Sequence, residues 1–261
     1  MKKQLTGLQM VPVKNPSISV DCVVFGFDGA SLKVLLVKRK YKEQNESGET
    51  ITKEDYKLPG SPIYNDEDLA TSAYRILEEL TNLKQVYLKQ LQVFSDPNRI
   101  DPESLGWLNE TYGFETPRII TIAYYSLVKL NPKMVAHTSM RKAEWHDVQS
   151  VKRLALDHKE ILGVALKTLN KQLVNEPIAF ELLPKRFTIR QLQTLYEAIL
   201  GIEIDNRNFR KKLLGSGYLD PTEEKEKNVA HKPAQYYIFN RHAYEKEVRK
   251  KSKLNFINWH E

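Results

Sequence analysis

Residues 61–83, SPIYNDEDLATSAYRILEELTNL, carry the clearest structural pattern in the chain. After Asp68, apolar or small residues recur every three or four positions, at Leu69, Ser72, Ala73, Ile76, Leu77 and Leu80. This spacing predicts an amphipathic helix that ends near Thr81 and Asn82. The preceding residues 58–62, LPGSP, predict a turn.

Two strand-like segments come before this turn. Residues 18–27 and 32–39 are rich in Val, Leu and Phe, and the residues DGAS at 28–31 separate them, which predicts a β-hairpin. Residues 40–57 are polar and highly charged without a regular period. An exposed loop is therefore expected there.

More strands and a second helix are expected after the first helix. Strand patterns occur at 86–94, 118–129 and 143–148. A helix is predicted from Asp157 to about Leu173, because Asp157 and Glu160 have the spacing of a capping box. This order of elements indicates an α+β fold with a mixed sheet.

Turn residues after the second helix suggest a linker between two domains. The segment 175–177, NEP, and a second proline at position 184 interrupt the helical pattern. A chain of 261 residues exceeds the roughly 100–200 residues of a usual domain, so two domains are expected. The predicted boundaries are 1–175 and 176–261.

The second domain begins with a predicted helix-turn-helix. Thr188 and Gln191 have capping-box spacing, and the stripe that follows is Ile189, Leu192, Leu195, Tyr196, Ile199 and Leu200. Gly201 ends that helix, and Asp205 is a good N-cap for a shorter one. The apolar side of the shorter helix is expected to be Phe209, Leu213 and Leu214. Short strands at 218–221 and 236–239, joined by a polar loop, complete the pattern of a winged helix.

The positive charge of the chain is concentrated in this domain. Between residues 185 and 212 there are seven Lys and Arg against three Asp and Glu, whereas the whole chain has 40 against 33. Arg and Asn suit base edges in the major groove, and Lys suits phosphates. The candidate DNA-binding residues are Asn206, Arg207, Arg210, Lys211, Lys212 and Lys232.

Several other classes of protein are excluded by composition. Cys22 is the only cysteine, so neither an intramolecular disulfide nor a thiolate metal cluster can form, and a cytoplasmic location is expected. The longest uncharged apolar run, 119–128, is too short for a membrane-spanning helix. No membrane partner is therefore expected.

The stretch 61–83 resembles the Nudix box, G-x5-E-x7-R-E-U-x-E-E-x-G-U, where U is a bulky apolar residue. Placed without gaps, Ser61 stands at the first Gly, and the matching residues are Glu67, Arg75, Leu77, Glu79 and Leu83. The departures are Ile76 and Leu80 in place of two Glu, and Asn82 in place of the later Gly.

These departures fall on the metal-binding face of the box. In Nudix enzymes three Glu on one side of the helix offer oxygen ligands to Mg²⁺, but here that side carries Ile76, Glu79 and Leu80. Glu78 points about 100° away and cannot substitute. Hydrolase activity is therefore expected to be weak or absent, and no cofactor is expected, with Mg²⁺ required only if residual activity exists.

Two interpretations are open for the charged residues that match the Nudix box and for Arg39. Glu67, Arg75 and Glu79 are candidates for binding an effector, or they form an ion pair that holds the loop to the helix. Arg39, at a strand end, either contacts an effector phosphate or lies in solvent.

The whole arrangement resembles the NrtR-type transcriptional regulators, in which a degenerate Nudix domain precedes a winged helix. The likeness is most specific between residues 187 and 213. It implies a Nudix-type mixed-sheet α/β/α sandwich followed by a winged helix-turn-helix domain. It also implies a homodimeric repressor or activator on a palindromic DNA operator, with ADP-ribose or a related nucleotide, or in some relatives a pentose, as effector.

The sequence therefore predicts a DNA-binding transcription regulator whose Nudix domain senses a metabolite. The alternative is an active MutT-type pyrophosphohydrolase that acts on ADP-ribose or another nucleoside diphosphate derivative.

Overall fold

The computed structural model of the protein describes residues 12–44, 47–84, 86–116, 118–130, 143–227, 229–230 and 232–247. The described parts of 1–25, 34–126 and 133–165 form one compact unit, and those of 26–33, 127–132 and 166–261 form a second. The domain boundary at residue 175 stays a prediction. In the described ranges no helix is long and apolar enough to cross a membrane.

The larger sheet has seven strands within the described residues. They are β1 (Lys14–Phe27), β2 (Leu32–Gln44), β3 (Thr50–Lys57), β4 (Gly60–Tyr64), β5 (Tyr87–Phe94), β6 (Ile120–Lys129) and β7 (Ala143–Asp147). Their order is β3-β2-β1-β6-β5, with β4 paired to β1 and β7 to β2. The predicted hairpin and the three later strands are confirmed.

The expectation of an exposed loop at residues 40–57 is wrong. Strand β2 continues to Gln44, and β3 pairs with it in antiparallel register, Arg39 opposite Asp55 and Lys40 opposite Glu54. Ion pairs of 2.6 Å between Arg39 and Asp55 and 3.0 Å between Lys40 and Glu54 join the strands. Opposite charges on facing strands stabilise the pairing, so a charged sequence here forms a sheet edge.

The predicted Nudix-box helix is confirmed as α1 (Leu69–Thr81). The Asp68 side chain caps it by accepting a hydrogen bond from the Thr71 amide at 2.8 Å, and Asn82 ends it with a left-handed φ of 59°. Ile76 and Leu77 are completely buried, so this face anchors α1 in the core.

A second helix, α2 (Pro102–Tyr112), lies in a segment for which no element was predicted. Its signals are an Asp101 cap that accepts from the Ser104 amide at 2.8 Å, a proline in the first turn, and Gly113 with φ 73° at its end. These are ordinary helix-boundary residues. Only Leu108 of α2 is fully buried, so the helix lacks a strong apolar stripe.

The predicted helix after Asp157 is confirmed as α3 (His158–Asn175). The proposed capping box is wrong, because the Glu160 amide donates to the backbone carbonyl of Asp157 at 2.8 Å, while the Asp157 carboxylate accepts from Arg99 at 2.7 and 2.8 Å. The buried guanidinium of Arg99 therefore binds the carboxylate that was expected to cap α3.

The second unit contains a winged helix. Its elements are α4 (Ala179–Leu182), β8 (Phe187–Thr188), α5 (Ile189–Leu200), α6 (Asn206–Gly215), β9 (Leu219–Lys225) and β10 (Gln235–Phe239). The sheet order is β8-β10-β9, and β10 is antiparallel to both neighbours. Strand β9 runs four residues further than predicted, to Lys225.

The start and end of α5 are as predicted. Thr188 accepts from the Gln191 amide at 3.2 Å, and Gln191 accepts from the Thr188 amide at 2.9 Å, which completes the capping box. Gly201 then adopts a φ of 68°, a conformation that costs glycine little. The turn brings the chain to α6.

Candidate functional site

Arg75 is the centre of a closed ion network on the Nudix-box helix. Its guanidinium donates to both oxygens of Glu67, at 2.8 Å for Nη2 to Oε2, and to Glu79 Oε2 at 3.1 Å. Glu67 also accepts from the Ser72 hydroxyl at 2.6 Å and the Tyr64 amide at 3.1 Å. Chiefly through Arg75, the pKa of Glu67 falls to about 2. The three predicted residues are thus brought together, bound to one another.

The neighbouring face of α1 does not fit a divalent metal. Ile76 is buried in the core, and Leu80 is half-buried. Glu78 points outward and pairs with Lys84 at 2.7 Å. Glu79 is the only carboxylate at the expected positions, and Arg75 already binds it. Across the described segments, no group of three or more His, Cys, Asp or Glu side chains is arranged to hold a metal ion.

A small cavity of about 30 Å³ lies in the same unit, lined by β1, β3, β4, β6, α2 and the start of α3. Its polar lining includes Ser19, Asp21, Lys57, Ser61, Arg99, Thr121 and His158. Its apolar lining includes Ile100, Trp107, Leu108, Tyr112, Ile119 and Leu156. An apolar wall with a few convergent polar groups is the usual lining of a small-molecule site. The space is that of about two water molecules, so it can take a small polar group of a ligand.

Arg99 organises one side of this cavity. Besides its two bonds to Asp157, it donates to the Thr121 hydroxyl at 2.8 Å. Thr121 in turn shares a 2.6 Å hydrogen bond with the Ser19 hydroxyl. The chain of contacts fixes these polar groups before any ligand arrives, and such preorganisation reduces the cost of binding.

Asp21 and His158 form another buried polar pair. Their Oδ1 and Nε2 atoms are 3.8 Å apart, and both residues are buried. His158 Nδ1 accepts a hydrogen bond from the Leu58 amide at 2.8 Å, and burial lowers the pKa of His158 to about 3. The imidazole is therefore neutral at pH 7, with its Nε2–H directed to the Asp21 side.

The charge of the pair is balanced by Lys57. Burial raises the pKa of Asp21, and the positive charges of Lys57 and Arg99 oppose that rise. Burial lowers the pKa of Lys57, and the Asp21 carboxylate opposes that fall. Lys57 also donates to the carbonyl of Gly60 at 2.9 Å. Charged hydrogen-bond donors and acceptors are thus both available to a polar ligand.

Gly60 is needed for the approach of β4 to Asp21. The two residues face each other in the antiparallel β1–β4 pair, and a Cβ on residue 60 would lie 1.5 Å from Asp21 Oδ1. No side chain fits there, so the carboxylate occupies the space that glycine leaves.

Arg39 lies in a different cluster from the network around Arg75. Its guanidinium forms a two-bond ion pair with Asp55, at 2.8 and 2.6 Å. It also stacks against the rings of Tyr41 and Trp107, at 4.7 and 4.6 Å from the ring centroids. The Trp107 indole donates to the carbonyl of Lys40 at 3.3 Å. Arg39 therefore joins α2 to the β2–β3 hairpin.

The sequence interpretation did not single out Asp21, Lys57, Arg99 or His158. Asp21 carries a detectable signal, because it is a charged residue inside the otherwise apolar segment 18–27. Strand β1 is buried from Ser19 to Phe27, so a carboxylate there requires partners. Arg99 lies outside every predicted element and could not be assigned a neighbour.

In the winged helix, α6 presents a cationic surface. Its residues Asn206, Arg207, Arg210, Lys211 and Lys212 are all exposed. On the described part of the chain, none of the four cations forms an ion pair or a hydrogen bond with another side chain. They are free to meet an external polyanion.

The opposite side of α6 packs on α5. Phe209 and Leu213 are half-buried, and the Phe209 ring lies edge-on to Tyr196 with centroids 5.6 Å apart. Leu214 is 42% exposed, so its expected place on the packing side is wrong. It follows Leu213 by one position and therefore points to another side of the helix.

Lys232 lies in the segment between β9 and β10, apart from α6 along the chain, and is exposed. The base of this wing is closed by the Glu226 amide, which donates to the Ala234 carbonyl at 2.9 Å. The arrangement of helix-turn-helix and wing is a standard DNA-binding geometry.

The fold and these two sites define a class of protein with a Nudix domain and a winged-helix DNA-binding domain. Comparison with known families agrees: the family described as NUDIX domain matches residues 15–164, and the one described as NrtR DNA-binding winged helix domain matches residues 179–239. The chain belongs to the Nudix family, and its second domain is an NrtR winged helix.

Several known proteins resemble this chain over most of its length. A protein of Acinetobacter baylyi named ADPR responsive transcriptional repressor NtrR is 28% identical over 239 residues, or 90% of this chain and 86% of the relative. The crystal structure of Shewanella oneidensis NrtR complexed with a 27mer DNA has a TM-score of 0.63 and 26% identity, covering 85% of this chain and 93% of that one. A MutT/nudix family protein from Enterococcus faecalis shares the fold, with a TM-score of 0.57, 23% identity, and coverage of 87% and 88%.

Proposed function

We propose that this protein is a transcriptional repressor that binds operator DNA through its winged helix and a nucleotide effector through its Nudix domain. The observation that carries the proposal is the exposed cationic side of α6 in a winged helix. The relative from Acinetobacter baylyi, named as an ADPR-responsive repressor, supports both parts.

For DNA, we assign base contacts to the first turns of α6. Asn206, Arg207 and Arg210 have the side chains that pair with adenine and guanine edges in the major groove. Lys211 and Lys212, with Lys232 on the wing, are assigned to phosphates. A dimer on a palindromic operator belongs to this proposal, because a two-fold protein fits a two-fold site. A regulator works where its DNA is, so a cytoplasmic location is also part of it.

For the effector, we assign the cavity around Asp21, Lys57 and His158. Its buried donors and acceptors suit a hydroxyl group of a ribose. A cleft of about 360 Å³ that also reaches Trp107 is lined by Arg39, Lys42, Lys53 and Arg153, and it has the size and the positive charge to take the rest of a nucleotide. ADP-ribose or a related nucleotide is the proposed effector, and a free pentose is the other candidate.

The four residues predicted to bind the effector remain in the proposal with a supporting role. Arg39 binds Asp55 and lines the cleft beside Trp107, so we assign it to the wall of the site. Glu67, Arg75 and Glu79 bind one another, so we assign them to holding the loop before α1 to that helix. The absence of a fitting metal face on α1 supports sensing as the task of the domain.

A DNA-binding titration tests the proposal. Fluorescence anisotropy with duplex DNA from the region upstream of its own gene is expected to show specific binding that weakens as salt rises. Addition of ADP-ribose is expected to release the DNA, whereas AMP at the same concentration is the control nucleotide. Absence of specific DNA binding would contradict the proposal.

Cavity variants test the effector assignment. Asp21→Asn keeps the shape of the side chain and is expected to weaken the response to ADP-ribose at least ~10-fold, because a charged hydrogen-bond partner is lost. Glu160→Gln, an exposed change on α3, is the matched control. If both variants respond to ADP-ribose as the wild type does, the effector lies elsewhere.

A further inference from the structure

The turn between α5 and α6 is held by two side chains of α5. Gln193 is buried, and its amide nitrogen donates to Glu197 Oε1 at 2.9 Å and to the carbonyl of Ile204 at 2.8 Å. Glu197 Oε1 also accepts from the Ile204 amide at 3.1 Å. Both backbone polar groups of Ile204 are therefore bound to α5.

Ile204 stands directly before the start of the DNA-facing helix. The next residue, Asp205, caps α6 by accepting from the Asn208 amide at 2.8 Å. The side chains assigned to DNA bases begin at Asn206. The bound backbone is thus two residues from the first base-contacting position.

A second anchor lies one turn further along. Phe209 packs edge-on against Tyr196 of α5. One fixed point allows a helix to swing, but two points separated by a turn fix its direction. The hydrogen bonds of Gln193 and Glu197 supply the point nearer to the DNA.

The stability of the core alone does not explain why residue 193 is a glutamine. Its amide oxygen is buried and has no hydrogen-bond partner within the described residues. An unsatisfied buried acceptor is destabilising, and a leucine at this position would avoid it. The amide nitrogen, by contrast, makes two hydrogen bonds directed at the turn.

We propose that Gln193 and Glu197 are positioning residues for DNA recognition, which fix the angle at which α6 presents its N-terminal side chains. The inference rests on the proposed function of the winged helix. Base readout requires the helix to be placed within a fraction of an ångström, whereas flexible lysines reach phosphates from several angles. Loss of the two side chains therefore lowers sequence discrimination more than general DNA affinity.

The test compares Gln193→Leu and Glu197→Ala with Thr194→Ala, a half-buried control on the same helix. The probes are a duplex that the wild-type protein selects from a random-sequence library and an unrelated duplex of the same length. Both positioning variants are expected to lose at least ~10-fold in the ratio of the two affinities. Affinity for the unrelated duplex and its salt dependence are expected to change less than ~3-fold.

Several outcomes overturn the proposal. An unchanged affinity ratio in both variants shows that the turn contacts do not set the helix angle. If the affinities for both duplexes fall equally and the melting temperature is lowered, the two side chains have a purely structural role. If Gln193→Leu does not fold, the proposal is tested by the affinity ratio of Glu197→Ala and by hydrogen exchange of the Ile204 amide. Fast exchange of this amide in the wild-type protein contradicts the proposal.

The same experiment separates this inference from the proposed function. If the wild-type protein selects no sequence at all, the DNA-binding proposal fails, and this inference fails with it. Suppose instead that the wild type and Thr194→Ala prefer the selected duplex, and that Gln193→Leu and Glu197→Ala prefer it equally strongly. Only the positioning role is then contradicted.

Discussion

Glu67 accepts hydrogen bonds from a guanidinium, a hydroxyl and a backbone amide, and each of them favours its charged form. In a Nudix enzyme a glutamate of this box serves the chemistry. Here the residue ties the loop before α1 to Arg75 on the helix. A residue that matches the motif therefore has a structural role in this chain.

Glu67→Gln is expected to lower the free energy of unfolding by roughly 2 kcal/mol at pH 7. The pKa of Glu67 is lowered to about 2 in the folded protein, from an ordinary value of 4.5. Its stabilisation is therefore complete above about pH 5 and lost as the pH falls toward about 2. Urea unfolding of wild type and variant across this range measures the difference.

The control for this prediction is Glu78→Gln on the same helix, whose exposed ion pair with Lys84 is expected to be worth less than ~1 kcal/mol. A difference between wild type and Glu67→Gln that stays constant from pH 7 to pH 2 would contradict the assignment.

Arg207 and Arg210 are expected to determine sequence preference. Arg207→Ala or Arg210→Ala is expected to cost about 1–3 kcal/mol of specific binding and to relax the preference at one position of each half-site. Lys232→Ala is expected to weaken binding to all sequences evenly, because its contact is with phosphate. Binding to a set of single-base operator variants measures both effects.

If all three substitutions weaken every sequence equally, α6 does not read bases. If Arg207→Ala and Arg210→Ala have no effect on any DNA, the winged helix does not bind DNA through this side.

At the scale of elements, the β1–β4 pair depends on one glycine. Gly60→Ala would place a methyl group 1.5 Å from Asp21 Oδ1, so one strand must shift. We expect a loss of about 3 kcal/mol in the free energy of unfolding, together with weaker effector binding. Thermal unfolding and calorimetric titration with ADP-ribose measure the two effects.

Gly106→Ala is the control for Gly60→Ala. Gly106 lies in α2 with no atom within 4 Å of the added Cβ, so the change is expected to stabilise the protein by about 0.5–1 kcal/mol. Equal effects of the two substitutions would show that the space at Gly60 is not limiting.

The elements that the sequence predicted are those whose patterns are local. The stripe of α1 and the capping box at Thr188 and Gln191 are set by residues close in the chain, and both are confirmed. Strand β3 was missed because its stabilising partners, such as Arg39 for Asp55, lie on another strand. Helix α2 was missed because it has caps without an apolar stripe.

The cavity could not be predicted from the sequence either, because its residues are distant from one another in the chain. Asp21, Lys57, Arg99 and His158 come from distant parts of the chain, and only the sheet and α3 bring them together. A sequence pattern shows that Asp21 is unusual but gives no partner for it. The DNA-facing residues were accessible to prediction because they lie on one short helix.

For the whole molecule, the proposed function requires coupling between effector and DNA. If ADP-ribose lowers DNA affinity by a given factor, DNA must lower ADP-ribose affinity by the same factor. We expect a factor of about 5–150, the range of common allosteric systems. Calorimetric titration of ADP-ribose into the free protein and into its DNA complex measures it.

The control ligand for this measurement is AMP, for which equal affinities with and without DNA are expected. Equal affinities for ADP-ribose in the two titrations would show that the Nudix domain does not regulate DNA binding.

Trp107 gives the protein an optical reporter at its proposed effector site. Its indole contacts the Arg39 guanidinium on one side and lines the cavity on another. A ligand that enters the cavity changes the polarity around this ring, so the wavelength and intensity of its emission should change with occupancy. Effector affinity is then measurable by fluorescence without any label, and Trp107→Phe removes the signal that belongs to this site.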